Sequence, residues 1–438
     1  ILCILAVFKV LDDLNNKITN QNKIFSMKRY LLIAFLMVTL FSTFHHLYSQ
    51  DFNQGLDMDS VPGLLWKMKT NGPIVATPVI NDQTVFVGSL DSTLYAFDLQ
   101  TGKLRWSFPT SGSVRSSATL LHDRLYLLST DGILYRMDQD SGRIDGVFQT
   151  ATGFLGDHQT DHHDYYTSTP VIVDSTIYFG AGDRIYAVSI TNGYIRWTYK
   201  TDGPVHTTPA VSYGWVYAGS LDGHLYAINA GSGNLAWKFK TTGRFSYPKG
   251  EVTGHPIAVG GVVLFGARDN NLYAVNAVTG SCNWIKQFPN GWGLPVTFND
   301  SVVYVGTAED RTLFALDIRS GNEVWKTRTG FNVMGGVAVG NSYGYFGTLL
   351  GKVIAVDLRN GKTLWSTNLE SHKSNQDKWL KSDGNFRDDV GSRLRTPLDI
   401  LGLYHDMGAV FSSPVLAGDK LIVAGYDGWV YCYQAKSK

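Results

Sequence analysis

Between Gly153 and Tyr166 the chain carries Asp157, His158, Asp161, His162, His163 and Asp164. Imidazoles and carboxylates are the side chains that hold Zn²⁺ when three or four of them converge. His158 and His162 stand four residues apart, but no helical pattern here puts those imidazoles on one helix face, and adjacent His162 and His163 on a strand would point to opposite sides. A solvated polar loop is the plainer reading. A metal seat on His158, Asp161, His162 and His163 is the sharper one. A second, dispersed set comprises Arg115, His206, Arg244, Tyr247, Lys249, Glu251 and Trp292. Arg beside Trp recognises carboxylates, peptides or sugars, whereas any one of these residues alone is more often a solvated rim group. Asp269, Asp310 and Asp427 have the setting of hairpin-turn residues. No H-E-x-x-H and no Gly-rich phosphate loop opening a helix occurs, so no catalytic residue is assigned. Cys3, Cys282 and Cys432 form no C-x-x-C pair, and a Cys282–Cys432 disulfide stays open.

The elements that must position these groups come from an internal repeat. Trp66, Trp106, Trp197, Trp237, Trp284, Trp325 and Trp365 recur mostly at about 40 residues, the period of a four-stranded propeller blade. Each Trp ends an eleven-residue phrase, first complete as Ala96 to Trp106 and repeated as Ala187 to Trp197, Ala227 to Trp237, Ala274 to Trp284, Ala315 to Trp325 and Ala355 to Trp365. Between Trp106 and Trp197 a further copy keeps Ser141-Gly142-Arg143 but has Gly146 at the Trp position. Alternating strands such as Thr84 to Gly88 precede the phrase, with hairpin signals such as Leu221-Asp222-Gly223, and a Ser/Thr-Pro phrase opens most repeats (Thr77-Pro78, Thr169-Pro170, Thr208-Pro209, Ser413-Pro414).

A four-stranded blade cannot bury both faces alone; stacking around an axis buries them. Trp supplies a large apolar plate between blades, and its N–H requires a partner. The last repeat, Val410 to Tyr433, contains only three strands, while Leu64 to Thr70 has a Trp but no strands before it. Pairing the two ends completes an all-β, eight-bladed propeller of four-stranded antiparallel blades over residues 61–438 and leaves no free sheet edge. Two loops at one mouth of the channel are expanded, 153–166 and 369–408. The second begins polar and mobile in character, then reads Leu398 to His405 as a short helix over the mouth.

The 438 residues carry 38 Lys and Arg against 37 Asp and Glu, so no global field steers the protein to nucleic acid. Lys28-Arg29, the apolar run Leu31 to Phe44 and Leu47-Tyr48-Ser49 predict a signal peptide over 27–49, with export to the periplasm, to the outer membrane through a partner, or outside the cell. Residues 1–26 read as a non-native upstream segment and 50–60 as a linker. The apolar run is short for a bilayer span, and an uncleaved N-terminal anchor is the alternative.

The phrase A-x-D-x-x-T-G-x-x-x-W resembles the tryptophan-docking motif of the quinoprotein (PQQ-repeat) propellers, and the resemblance covers nearly all of 61–438. It implies the propeller fold strongly and function weakly, since folds host many activities. The PQQ-dependent dehydrogenases of that family place PQQ and Ca²⁺ in the axial funnel and usually carry an adjacent Cys-Cys pair, which is missing here. The cofactor-free BamB-like group is more similar in length and blade number, although its lipoprotein Cys is lacking. The resemblance therefore implies a non-catalytic, cofactor-free scaffold with protein partners in the cell envelope, of which outer-membrane protein assembly is one version. The alternatives are a PQQ- and Ca²⁺-dependent oxidoreductase, and a glycan-binding module or divergent metal-dependent hydrolase with a small-molecule or glycan ligand. Zn²⁺ distinguishes the two readings of the His/Asp insertion. A metal seat predicts a rise in the unfolding midpoint, about 2.7 kcal/mol at ~100 times Kd, that is lost in His162→Ala/His163→Ala.

Overall fold

The structure, a computed structural model, describes residues 57–150 and 166–436. Within them lie eight four-stranded antiparallel sheets. Seven run in sequence order over 79–109, 119–149, 171–200, 210–240, 257–287, 293–328 and 338–368, called blades 1 to 7. Blade 8 joins three strands within 415–434 to the N-terminal strand Gly63–Lys69. Gly63 pairs with Gln434 and Lys69 with Trp429, so the two ends of the propeller close the ring as the repeat count requires.

Each blade's middle strands, such as Thr84–Ser89 and Thr93–Asp98, are buried almost throughout, while the outer strand alternates. The core consequently sits between blades. One cluster, for example, combines Phe86 and Ala96 of blade 1 with Leu125 and Met137 of blade 2.

The repeated phrase explains itself residue by residue. Asp98 Oδ1 accepts from the Thr101 backbone N–H (2.9 Å) and hydroxyl (2.8 Å), fixing the turn into the outer strand. Those bonds, with Arg105, hold its carboxyl below the usual carboxylate range. Gly102 adopts φ 71°, and a Cβ there would lie 2.7 Å from the Trp66 ring. Ala96 stands directly across from Trp106, as Ala187, Ala227, Ala274, Ala315 and Ala355 stand across from their own Trp. Each indole N–H donates to a backbone carbonyl of the neighbouring blade: Trp66 to Leu99, Trp106 to Gln139, Trp197 to Ala230, Trp237 to Ala277, Trp284 to Ile318 and Trp325 to Leu358, at 2.8–3.3 Å. Blade 2 exchanges the pair. Arg136 occupies the Ala position opposite Gly146, and its guanidinium donates to the Ile190 carbonyl of blade 3 at 3.2 Å.

In blade 8 the residue opposite Trp66 is Cys432. Its thiol is buried and pushed up to about 12, whereas Cys282 is exposed on the outer strand of blade 5. Both are free thiols, so the disulfide left open by the sequence is not formed.

The Ser/Thr-Pro phrases form an inner belt. Ser413 N donates to Thr77 Oγ1 (3.1 Å), Ser117 N to Thr169 Oγ1 (3.1 Å), Thr169 N to Thr208 Oγ1 (3.0 Å) and Thr208 N to His255 Nδ1 (2.9 Å). At the N-terminus, the end of the stretch read as linker is packed. Trp365 donates to the Met58 carbonyl (2.7 Å), and Asp57 accepts from Ser342 and Tyr343. The signal-peptide segment 27–49 and the upstream segment 1–26 lie outside the described residues.

The insertion after blade 7 folds as three helices, α1 (Glu370–Trp379), α2 (Val390–Arg393) and α3 (Pro397–Met407). The helix expected near Leu398 is α3, opened by a capping box between Thr396 and Asp399 and closed by Gly408 at φ 65°. The polar first part, expected to be mobile, is instead α1. Its Trp379 packs with Leu403 and Met407 and donates to Asp406 Oδ2 (2.9 Å), and its His372 is buried against the Leu350 carbonyl.

Docking predicts a graded response at Trp325. Trp325→Phe should keep most of the plate and lose the bond to Leu358, costing about 1 kcal/mol. Trp325→Ala should cost about 3–5 kcal/mol. Urea unfolding of both variants checks the order.

Candidate functional site

The loops from each outer strand to the next inner strand, together with the hairpins joining the middle strands, share one mouth of the channel. Each blade's first loop contributes one residue at an equivalent position: Val75, Arg115, Thr167, His206, Thr253, Leu294, Met334 and Phe411. The hairpins add Leu90, Arg268, Ala308, Leu349 and Tyr426 at another. Val75, Leu294, Met334, Leu349, Phe411 and Tyr426 merge into one buried cluster, although they come from blades 1, 6, 7 and 8. Leu401 and Tyr404 of α3 pack on it. Half of the mouth is thus filled by the protein's own apolar side chains. The Tyr166 hydroxyl of blade 3 reaches the Phe411 carbonyl of blade 8 at 2.9 Å, and burial pushes this phenol up, so it stays a donor.

The other half, over blades 2 to 5, is polar. Arg115 and His206 hold the equivalent positions on blades 2 and 4. Blade 5 adds Arg268, whose guanidinium lies 5.1 Å from the Trp292 ring and 5.7 Å from the Tyr247 ring, while Tyr247 and Trp292 meet edge to face at 5.6 Å. Arg268 N donates to the Glu251 carbonyl (2.9 Å), and the Glu251 carboxylate is partly buried beside it. Arg268 is itself buried (4% exposed) and keeps its charge between the two rings, so Tyr247 and Trp292 are the surface this group presents.

A folded loop presents this group. Thr241 Oγ1 bonds the Gly250 carbonyl (2.8 Å), and Asp269 Oδ2 accepts from Thr242 Oγ1 (3.1 Å) and Gly243 N (3.1 Å). Arg244 and Tyr247 exchange both backbone bonds at 3.0 Å, and Phe245 between them is fully exposed. Gly243 adopts φ 70°, where a Cβ would lie 2.4 Å from the Pro248 carbonyl.

Of the residues singled out from sequence, Arg115, His206, Tyr247, Glu251 and Trp292 fall on the polar half, the last three in one cluster. Arg244 and Lys249 point to solvent on the loop, where the Lys249 carbonyl accepts from Lys240 Nζ. His158, Asp161, His162 and His163 lie outside the described residues. Arg268 was missed. Its signal was an Arg at a hairpin position that holds Leu90, Leu221 and Leu349 in other blades. Asp269 and Asp427 cap their hairpins, each accepting from the Tyr two residues beyond the turn. The string Gly340-Asn341-Ser342-Tyr343-Gly344 has nucleophile-elbow spacing, but it is a strand-to-strand turn at the opposite end of blade 7, with no helix after it.

Fold and repeat together define a PQQ-repeat β-propeller. A family model described as outer membrane protein assembly factor BamB matches residues 62–165, 147–246 and 241–395, and the chain belongs to that family. Among solved structures, BamB from Moraxella catarrhalis is similar with a TM-score of 0.61 at 14% identity, over 86% of this chain and 99% of that one. Quinohemoprotein alcohol dehydrogenase ADHIIG from Pseudomonas putida HK5 gives 0.64 at 14% identity, over 88% and 78%. The computationally designed Ika8 protein gives 0.63 at 15% identity, over 86% and 100%. These likenesses are of fold. Quinohemoprotein alcohol dehydrogenase ADH IIB from Pseudomonas putida is 36% identical over 96 residues, which span 19% of this chain and only 14% of that protein.

The quinoprotein relatives raise the question of a PQQ seat. The described residues do not fit one. The mouth's apolar half is filled, Tyr166 and Phe411 bridge across it, and among the described residues no three His, Cys, Asp or Glu side chains converge for a divalent cation. No chemical step is derived through that group.

The cap over the apolar half carries a pH dependence. Burial is the main cause that holds His372 below its usual 6.5, against the opposing Leu350 carbonyl bond. The folded state therefore keeps it neutral, and the unfolded state takes up the proton first. Stability of the cap is full above 6.5 and declines as pH falls below it. Hydrogen exchange across Glu370–Trp379, corrected for intrinsic rates, should quicken between about pH 7.5 and pH 5.5. His372→Gln should flatten that response.

Proposed function

We propose that this chain is a non-catalytic binding propeller of the cell envelope that engages protein partners in outer-membrane protein assembly through the polar half of its mouth. The observation that carries the reading is the Arg268–Tyr247–Trp292 cluster near the exposed Phe245, set against an apolar half of the mouth that the protein's own side chains fill. Aromatic and Arg anchors of this kind dominate interface energetics. The match to the BamB family supports the cell-envelope and assembly parts of the proposal. Among the described residues no helix is long and apolar enough to cross a membrane. Family and relatives by themselves do not separate binding from PQQ-dependent oxidation. The filled apolar half of the mouth favours binding, without PQQ or Ca²⁺.

Two measurements test this. Thermal unfolding with PQQ and Ca²⁺ should leave the midpoint unmoved; a rise worth about 2.7 kcal/mol at ~100 times Kd would overturn the cofactor-free reading. A photo-crosslinking amino acid at Phe245 should capture an outer-membrane assembly protein in intact envelopes. Arg268→Ala should weaken that partner's affinity by about 2 kcal/mol, roughly thirty-fold. Absence of any assembly-protein adduct would sink the partner assignment.

A further inference from the structure

The departure at blade 2 opens a second site on the side wall, away from the mouth. Six docking glycines, Gly102, Gly142, Gly233, Gly280, Gly321 and Gly361, each carry the indole of the preceding blade. A Cβ on any of them would come within 2.4–2.7 Å of that ring. Gly193 of blade 3 is the seventh. It has the same φ of 71°, yet a Cβ there meets no atom within 4 Å, because Gly146 stands where the indole would start. The result is a cleft of about 210 Å³ between blades 2 and 3, lined by Arg136, Asp145, Gly146, Val147, Asn192 and Gly193 among others.

Arg136 takes over the hydrogen bond but not the plate. Its Nε bonds Asp145 Oδ1 at 2.6 Å, and one terminal nitrogen reaches the Ile190 carbonyl at 3.2 Å. This fixes an Asp145-paired guanidinium on the wall of a slot whose surface combines glycine backbone and apolar side chains with the polar Ser189, Thr191 and Asn192. Val147 on the rim is 63% exposed. A flat π system matches both features, since a guanidinium attracts an aromatic ring and a bare glycine admits it to van der Waals contact. The Ile190 carbonyl retains a second lone pair for an N–H donor.

We propose that this vacant docking slot receives a tryptophan side chain from a partner protein, in the manner in which the six equivalent slots receive the protein's own tryptophans. The site is independent of the mouth, so it stands or falls apart from the reading of Arg268 and Phe245.

Saturation-transfer NMR with N-acetyl-tryptophanamide tests it, with N-acetyl-leucinamide as control. The wild-type chain should show saturable transfer to the indole protons and none to the leucine analogue. Arg136→Ala/Gly146→Trp rebuilds the repeat's own plate and should reduce that binding at least tenfold, while its unfolding midpoint stays at or above wild type. Val147→Glu, on an exposed rim position, should weaken binding several-fold and covers the case in which the double variant does not fold. Arg268→Ala should leave it unchanged. Equal transfer to the leucine analogue, or undiminished binding in both slot variants, would overturn the proposal. Free indole binding more than tenfold tighter than the peptide analogue would also overturn it, by reassigning the cleft to a small metabolite.

Discussion

One hydrogen bond, from an indole N–H to a carbonyl of the next blade, sets the terms for most of this molecule. It lies at the outer rim of every gap between blades except the one between blades 2 and 3, where a buried carbonyl without a partner would be just as costly. The plate that carries the donor needs a small residue across from it, which is Ala, and a backbone without Cβ beneath it, which is Gly. The turn that delivers that Gly needs a side-chain acceptor, supplied by Asp98 and its equivalents. The exchange at blade 2 shows which requirement is stricter. When the indole is gone, the carbonyl of Ile190 still receives a donor from Arg136, whereas the plate is simply left out. Satisfying the polar group ranks above filling the space.

A ring of near-identical units gives every blade the same part in the scaffold, so anything specific must come from positions where one blade departs from the others. The mouth bears this out. Leu90, Leu221 and Leu349 are the ordinary occupants of a hairpin site, and Arg268 stands there only in blade 5. The loop from Thr242 to Gly250 is likewise an addition to one blade. Its hydrogen bonds run to Asp269, the turn residue whose counterparts Asp131 and Asp222 likewise accept a backbone N–H from the preceding loop. Departures thus build on the repeat's existing bonds and add little fold of their own.

This division also explains what could be read in the chain and what could not. Fold, blade count and terminal pairing were legible because Ala, Gly and Trp recur at fixed offsets, and each of those types has few structural uses. Arg268 was not legible, because an Arg in a turn looks like any solvated Arg until Tyr247 and Trp292 are known to flank it. Helix α1 was obscured for the opposite reason. Its sequence is polar throughout, and only Trp379 and His372 reveal, through tertiary contacts with Leu403 and the Leu350 carbonyl, that it is held down. The free thiols follow the same logic. Cys432 is an Ala substitute facing Trp66, a role set by register that no Cys count discloses.

The shared eighth blade places a constraint on how the protein comes into being. Among the described strands Gly63–Lys69 is the earliest in the chain, yet its sheet partner, Trp429–Gln434, is the latest. Throughout synthesis that early strand presents unpaired backbone and the Trp66 ring, the features that invite pairing with the wrong chain. Blades 1 to 7 can form hairpin by hairpin from local contacts, but closure of the ring has to wait for the whole chain and pays the loop entropy of nearly its entire length in one step. The latch that closes the ring is therefore also its most exposed moment, and a protein built this way gains most from a chaperone that shields the early strand until its partner arrives.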